Sequence, residues 1–208
     1  GAQGGKGCTS RNDYARYALI DGLREKERLG INPYQFGFIG STDSHTAVPG
    51  AVSEYEQPYK YSTTPEQTLT VGGRPRAVAF QNPGGLAGVW AEENTRDGIF
   101  DALKRRETFA TSGPRIAPRF FGGWQIPADI CSTPNLAKAG YQHGMPMGGV
   151  LETKTKPDAR PRFVVAANAD PGTTGAPGHP LQRIQIIKGW VGSNGAFHQS
   201  VIDVAGNA

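Results

Sequence analysis

The apolar residues near the amino end recur with a helical period. Between Asn12 and Gly30, apolar side chains line one side of the predicted helix and charged side chains line the other. Asn12 or Asp13 can cap its first turn, and Gly30 suits the left-handed residue that follows a helix. The pattern therefore predicts a helix that ends at Leu29.

A second helical period covers residues 96–107, with Asn94 or Thr95 as the capping residue. Its predicted apolar side consists of Ile99, Phe100 and Leu103. Residues 104–106 are all cations and fall in the predicted last turn, where positive charge offsets the helix dipole. We therefore interpret this basic cluster as structural.

Short β-prone runs fill the last third of the chain and are separated by Pro-Gly turns. The predicted strands are residues 116–121, 163–167, 183–190 and, more weakly, 199–204. Ile184 and Ile186 alternate with polar residues, which is typical of a half-buried antiparallel strand. We expect residues 119–208 to be β-rich, with both isoleucines buried on one face.

A short apolar run also leads into an Asp-x-His motif. A short buried strand is predicted at Phe36, Phe38 and Ile39. The Gly-Ser step after them suits a sharp turn of the backbone or the close approach of a ligand to it. Asp43 and His45 would follow the carboxyl end of that strand, where α/β folds build active sites.

The spacing of Asp43 and His45 favours a metal site. In extended chain, residues two apart point the same way, with α-carbons roughly 6.5 Å apart. A carboxylate and an imidazole can then converge on one divalent ion such as zinc, manganese or iron. The alternative is structural, since an Asp in such a turn often caps its own backbone.

The helix, loop, strand and Asp-x-His order is typical of one αβ step of a barrel or wound sheet. The many Pro and Gly residues between positions 47 and 88 predict a long loop. Its tyrosines, Tyr55, Tyr59 and Tyr61, either line a cleft or pack the loop onto the body. The fold class is therefore mixed, α/β to α+β, with domains at 1–118 and 119–208.

The composition of the chain argues against two classes of protein, those that bind nucleic acid and those that span a membrane. The 208 residues carry a formal net charge of +4 with scattered basic residues, so the sequence shows no nucleic-acid footprint. No apolar run approaches the length of a membrane span. Cys8 and Cys131 allow one disulfide or two free thiols. Both chain ends resemble loop interior, so we expect a fragment.

Three segments together resemble a known family. They are LGINPY (29–34) leading to GSTDSH (40–45), AGVWAEENTR (87–96) with RETFATSGPR (106–115), and RIQIIKGW (183–190). The chain resembles a large bacterial family of unknown function that is linked to the PHP (polymerase and histidinol phosphatase) superfamily of metal-dependent hydrolases. Carbaryl hydrolase is similar.

The resemblance implies a distorted β/α barrel of the PHP type with two or three metal ions at its carboxyl rim. The last Asp-x-His of that metal cluster matches Asp43 and His45. Superfamily members mostly cleave phosphoesters, which implies a small-molecule ester substrate. This chain would be the carboxyl-side part of the barrel, followed by the β-rich region.

The chain departs from the superfamily pattern in its histidines. The superfamily opens with an H-x-H motif, but no two histidines here are so spaced; they are His45, His143, His179 and His198. An open catalytic zinc site normally needs three protein ligands. We therefore expect the missing ligands to come from an absent amino-terminal part or a neighbouring chain, and this chain alone to be nearly inactive.

Other residues are weaker candidates. Glu92, Glu93 and Arg96 precede or begin the second helix and could orient a substrate or a metal-bound water; acidic residues there also simply favour the helix dipole. His143 could reach the site from a loop. Ser112 lacks a G-x-S-x-G context, which argues against a serine hydrolase.

Two functions follow from the sequence. The first is a metal-dependent hydrolase of phosphate or related esters, with Asp43 and His45 as ligands. The rival is a non-catalytic β-rich binding module, with Asp43 as a turn cap. The sequence leaves a periplasmic and a cytoplasmic location equally open.

Overall fold

A computed structural model describes residues 10, 14–41, 70–71, 74–75, 85–154, 156–174 and 176–206. Its α-helices are α1 (Ala15–Leu29), α2 (Arg96–Lys104) and α3 (Leu136–His143). Its strands are β1 (Thr70–Val71), β2 (Arg74–Pro75), β3 (Ala87–Val89), β4 (Thr108–Ala110), β5 (Ala117–Gly123), β6 (Met145–Pro146), β7 (Arg162–Asn168), β8 (Gly172–Thr173), β9 (Ala176–Pro177), β10 (Arg183–Val191) and β11 (Phe197–Gly206). The strand pairs are antiparallel, and the described residues form no closed barrel.

The chain folds into two compact units, one of residues 1–36 with 181–208 and the other of residues 37–180. Strands β5 to β11 all lie beyond residue 116, so the prediction of a β-rich antiparallel region in the second half is confirmed. The predicted boundary at residue 118 rests on strand content and stays a prediction.

In the first unit, α1 packs on the hairpin of β10 and β11. Gly30 adopts a φ of 78° and donates its backbone N–H to the carbonyl of Lys26, which confirms the predicted helix end. Ile20 is buried against Gly189, where an added Cβ would lie 2.7 Å from Ile20 Cγ1. Arg16 Nη1 donates to Gln199 Oε1 at 3.3 Å.

The β10–β11 hairpin confirms the predicted alternation. Ile184 and Ile186 are half-buried and alternate with exposed Arg183 and Gln185. Because Gly189 faces α1 and strand side chains alternate, the two isoleucines lie on the opposite face. They are thus less buried than the sequence suggested.

In the second unit, α3 covers one face of the sheet β6-β5-β7. The core beneath it consists of Phe121, Ile126, Ile130 and Val164, with Leu136 and Ala139 packed at its margin. Asn135 caps α3, since its Oδ1 accepts from the Lys138 N–H at 2.9 Å. The sequence patterns did not predict this helix, because it is short and lies in a strand-rich region.

Helix α2 begins as predicted and ends early. Thr95 Oγ1 accepts from the Gly98 N–H at 3.1 Å, so Thr95 is the cap. The predicted end at Glu107 is wrong, because Arg106 takes a left-handed φ of 63° and closes the helix after Lys104. The Arg106 N–H bonds the Leu103 carbonyl and the Glu107 N–H bonds the Ala102 carbonyl, which is the Schellman arrangement.

The predicted apolar side of α2 is largely exposed. Phe100 is 61% and Leu103 is 45% exposed, whereas the fully buried residue of this helix is Ala102. Ile99, the third residue of the predicted apolar side, is half-buried.

The buried strand predicted at Phe36 is wrong. Residues 35–41 have no regular secondary structure, and Phe36, Phe38 and Ile39 are 52%, 38% and 60% exposed. Strand formation needs a ladder of backbone partners, and β-propensity alone does not supply one.

Within the predicted loop 47–88, the structure describes β1 and β2, which pair with each other, residues 85–86, and the first two residues of β3. Tyr55, Tyr59 and Tyr61 lie outside the described residues. No described helix has the length and apolarity needed to cross a membrane.

Candidate functional site

The segment before the Asp-x-His motif runs beside β4 in the same direction. Thr108 Oγ1 donates to the Phe38 carbonyl at 2.8 Å. A Cβ added to Gly37 would lie 3.0 Å from Arg106 Cβ, and one added to Gly40 would lie 2.9 Å from Ala110 Cβ. The contacts therefore advance together along both segments, as in neighbouring parallel chains.

Ser41 marks where this segment leaves the β3–β4 pair. The Ser41 carbonyl lies 3.1 Å from the position of a Cβ on buried Gly85, and the Thr111 carbonyl lies 3.3 Å from it. Ser41 thus sits at the end of β4, beside the start of β3. Asp43 and His45, the predicted metal ligands, lie outside the described residues.

Glu92, Glu93 and Arg96 lie at the other end of the β3–β4 pair. They follow Val89, which pairs with Thr108 at the start of β4, and all three are exposed. In the part of the chain that the structure describes, Glu92, Glu93 and Arg96 therefore do not lie near Ser41. Their proposed role with a substrate or metal-bound water stays a prediction.

Local contacts give Glu93 a structural partner. Its Oε1 accepts from Thr95 Oγ1 at 3.1 Å, next to the start of α2. Arg96 and Asp97 flank half-buried Ile99 and the exposed side chains of Phe100 and Leu103 in a surface depression. All the residues that line this depression belong to α2, and their polar groups do not converge on one point where a ligand could bind.

A polar cluster that the sequence reasoning missed lies around Glu107. Glu107 is 2% exposed, and its carboxylate accepts a hydrogen bond from the Tyr141 hydroxyl. Arg105 Nη2 lies 3.6 Å from its other oxygen. Glu107 directly follows the left-handed residue Arg106, so its buried carboxylate joins the chain after α2 to α3.

Arg119 extends the cluster to the surface. Its Nη1 donates to the Tyr141 hydroxyl at 3.0 Å, and its Cζ lies 3.4 Å from the centre of the Trp90 ring. Trp90 is itself held, because its Nε1 donates to the Pro118 carbonyl at 3.0 Å. The signal for this cluster in the sequence was an arginine inside an otherwise apolar strand.

The environment of Tyr141 keeps its phenol protonated. Burial raises the pKa of Tyr141 above its ordinary value of 10.0, and the hydrogen bond to Glu107 and the charge of Glu107 add to the rise. Arg119 opposes this rise in part. The phenol therefore remains a donor to Glu107 wherever the protein is folded near neutral pH.

Tyr141→Phe is expected to lower the free energy of unfolding by about 1–3 kcal/mol at pH 7, because buried Glu107 loses a donor. The raised pKa means that folding favours the protonated phenol, so its contribution is complete below pH 10.0 and is lost as the pH rises further. The difference between wild type and variant should therefore shrink above pH 10. Urea unfolding from pH 7 to 11 measures it.

The control for this prediction is Tyr14→Phe. Tyr14 is 54% exposed, and removing its hydroxyl should leave the free energy of unfolding at pH 7 unchanged. A Tyr141→Phe difference that stays constant from pH 7 to 11 would contradict the assigned linkage.

The remaining histidines and the described cysteine are dispersed. His143 ends α3 and is exposed, as is His179; the His198 ring stacks on Trp190 at 5.2 Å. Cys131 is exposed with a free thiol. In the parts of the chain that the structure describes, no three His, Cys, Asp or Glu residues group so as to hold a metal ion.

Comparison with known proteins identifies the family. A family model described as "Protein of unknown function (DUF3604)" matches residues 2–208. The chain belongs to this family. Membership confirms the predicted relation to a family of unknown function, and it extends over both units. No curated protein and no solved structure matches the chain significantly.

Proposed function

We propose that this DUF3604 chain is the carboxyl-side part of a PHP-type metal-dependent hydrolase of phosphate or related esters. The observation that carries the proposal is the parallel course of residues 37–40 and β4, with β3 and α2 between them along the chain. Parallel neighbouring segments with a helix between them along the chain also occur in β/α barrels, in which catalytic groups follow the carboxyl ends of the strands. Strand β3, which pairs antiparallel with β4, departs from the order of such a barrel. Asp43 and His45 follow residues 37–40 directly.

The donor chemistry of the motif fits a divalent ion. The Asp43 carboxylate and the His45 imidazole suit zinc, manganese or iron. Such an ion, when bound, would lower the pKa of a bound water and polarise the ester. Two ligands do not complete a site, so the missing amino-terminal part or a neighbouring chain would supply the rest.

The rival function is a non-catalytic β-rich binding module of the same family. It is favoured by the apolar side chains that the hairpin exposes, since Val201 and Ile202 of β11 are 52% and 45% exposed. In that case Asp43 would cap a turn, and metal would not be required.

The 208-residue chain alone should bind metal weakly and turn over little. Elemental analysis after gel filtration, alongside a chromogenic phosphodiester assay, measures both quantities. The matched control is a longer protein that carries upstream sequence, which should retain metal and hydrolyse the ester. A metal-loaded longer protein without turnover on a panel of phosphate, carboxylate and carbamate esters would favour the binding module. Stoichiometric metal and robust turnover in the short chain would instead place the missing ligands within it.

A further inference from the structure

The Arg119 guanidinium is held in a fixed orientation. Its Cζ lies over the Trp90 ring, 3.4 Å from the ring centre, and that ring also contacts Phe109 with 5.6 Å between ring centres. One N–H group of Arg119 is bonded to the Tyr141 hydroxyl. An arginine stacked on an aromatic face in this way loses little further freedom when it binds a ligand.

Its charge is not neutralised by direct contact with a carboxylate. No carboxylate among the described residues lies within ion-pair distance of Arg119, because the Tyr141 hydroxyl stands between it and Glu107. Glu107 is approached by Arg105 instead. Two arginines share one carboxylate, so the cluster retains one net positive charge.

The remaining donors of Arg119 are open to a ligand. Arg119 is half-buried and Tyr141 is 47% exposed, so the cluster reaches the surface of the second unit. The donors of the guanidinium not used by Tyr141 have no partner in the described part of the chain. A guanidinium presents its donors as a fork that matches two oxygens of one anion.

We propose that Arg119, held by Trp90 and Tyr141, binds an oxyanion of the carboxylate or phosphate class through its free N–H fork. The site uses none of the residues of the proposed metal site, and it lies near the Thr108 end of the β3–β4 pair, away from Ser41. It would hold a charged group of a ligand without taking part in hydrolysis. The proposal therefore stands whether or not the chain is part of an esterase.

Nitrogen-15 NMR of the 208-residue chain tests it through the Arg119 Nε–H resonance, identified by its loss in Arg119→Lys. Inorganic phosphate and acetate are titrated separately at constant ionic strength, with chloride as the balancing anion. We expect a saturable shift of this resonance and of the Trp90 Nε1–H with phosphate, acetate or both. The anion that saturates at lower concentration identifies the preferred ligand class.

Arg119→Lys keeps the charge but removes the fork, and should weaken the apparent affinity at least tenfold, as followed on the Trp90 Nε1–H. The matched control is Arg162→Lys on the adjacent strand, where the guanidinium is already bonded to the Ile126 carbonyl; its affinity should equal that of wild type. Unchanged binding in Arg119→Lys, or no saturation with either anion in wild type, overturns the proposal. The wild-type titration decides the matter even if Arg119→Lys unfolds.

Discussion

Asp43→Ala and His45→Ala are each expected to reduce kcat/KM of the complete, metal-loaded protein by at least about 10²-fold. Loss of residues that only orient metal ligands already costs about 10- to 100-fold. Loss of a ligand itself removes both a metal bond and the orientation of the bound water. Steady-state hydrolysis of a phosphodiester and metal content per chain by elemental analysis measure the two effects.

The fold should survive these substitutions, because Ser41 and the segment before it are anchored through β4 rather than through the motif. Circular dichroism and gel filtration check that. Glu92→Gln is the informative comparison, since Glu92 lies beyond the opposite end of the β3–β4 pair. Normal metal content with reduced turnover in Glu92→Gln would support its predicted catalytic role. Wild-type turnover and metal content in both Asp43→Ala and His45→Ala would refute the ligand assignment.

Phe121→Ala is expected to lower the free energy of unfolding by about 3–5 kcal/mol. Phe121 is 1% exposed and packs edge-on against Tyr141, with 5.1 Å between ring centres. A Cβ on Gly140 would lie 2.5 Å from its ring, so α3 sits directly on it. Truncation would leave a cavity beneath the helix that a rigid helix and sheet cannot close.

Phe163→Ala is the matched control for this prediction. Phe163 belongs to the adjacent strand of the same sheet but is 53% exposed and stacks on Phe120 on the other face. Phe163→Ala should lower the free energy of unfolding by less than half as much as Phe121→Ala, as measured by urea unfolding. Equal losses for the two phenylalanines would contradict the placement of the core under α3.

Elements whose signal is local were predicted from the sequence. Gly30 ends α1 because a left-handed residue there needs no β-carbon, and Thr95 starts α2 because its hydroxyl reaches a free N–H. The strand at residues 183–190 was predicted from the alternation of Ile184 and Ile186 with polar residues. In all three cases the cause lies within a few residues of the effect.

Elements whose cause is distant were not predicted. Phe36 and Phe38 look like a strand, but a strand depends on which backbone lies beside it. Arg106 ends α2 in a left-handed turn that sequence alone does not favour for arginine, and its Nε donates to the Gly148 carbonyl far along the chain. Local hydrogen bonds close the turn, but no local pattern reveals the distant partner of its side chain.

The polar cluster escaped prediction for the same reason. Glu107 lies between α2 and β4, Arg119 in β5 and Tyr141 in α3, with no common spacing, and only the tertiary packing brings the three side chains together. The Asp43–His45 prediction is different in kind, because it rests on one motif and a family resemblance. It remains a prediction that the experiments above address.

The first unit has a consequence for synthesis on the ribosome. Arg16 of α1 and Gln199 of β11 are 183 positions apart, although they touch in the folded unit. At typical translation rates of about 5–20 residues per second, α1 would emerge roughly 10–40 s before its hairpin. Ile20 has no native surface to pack against during that interval. Ile20 therefore stays in contact with water or with non-native surfaces until β10 and β11 have emerged.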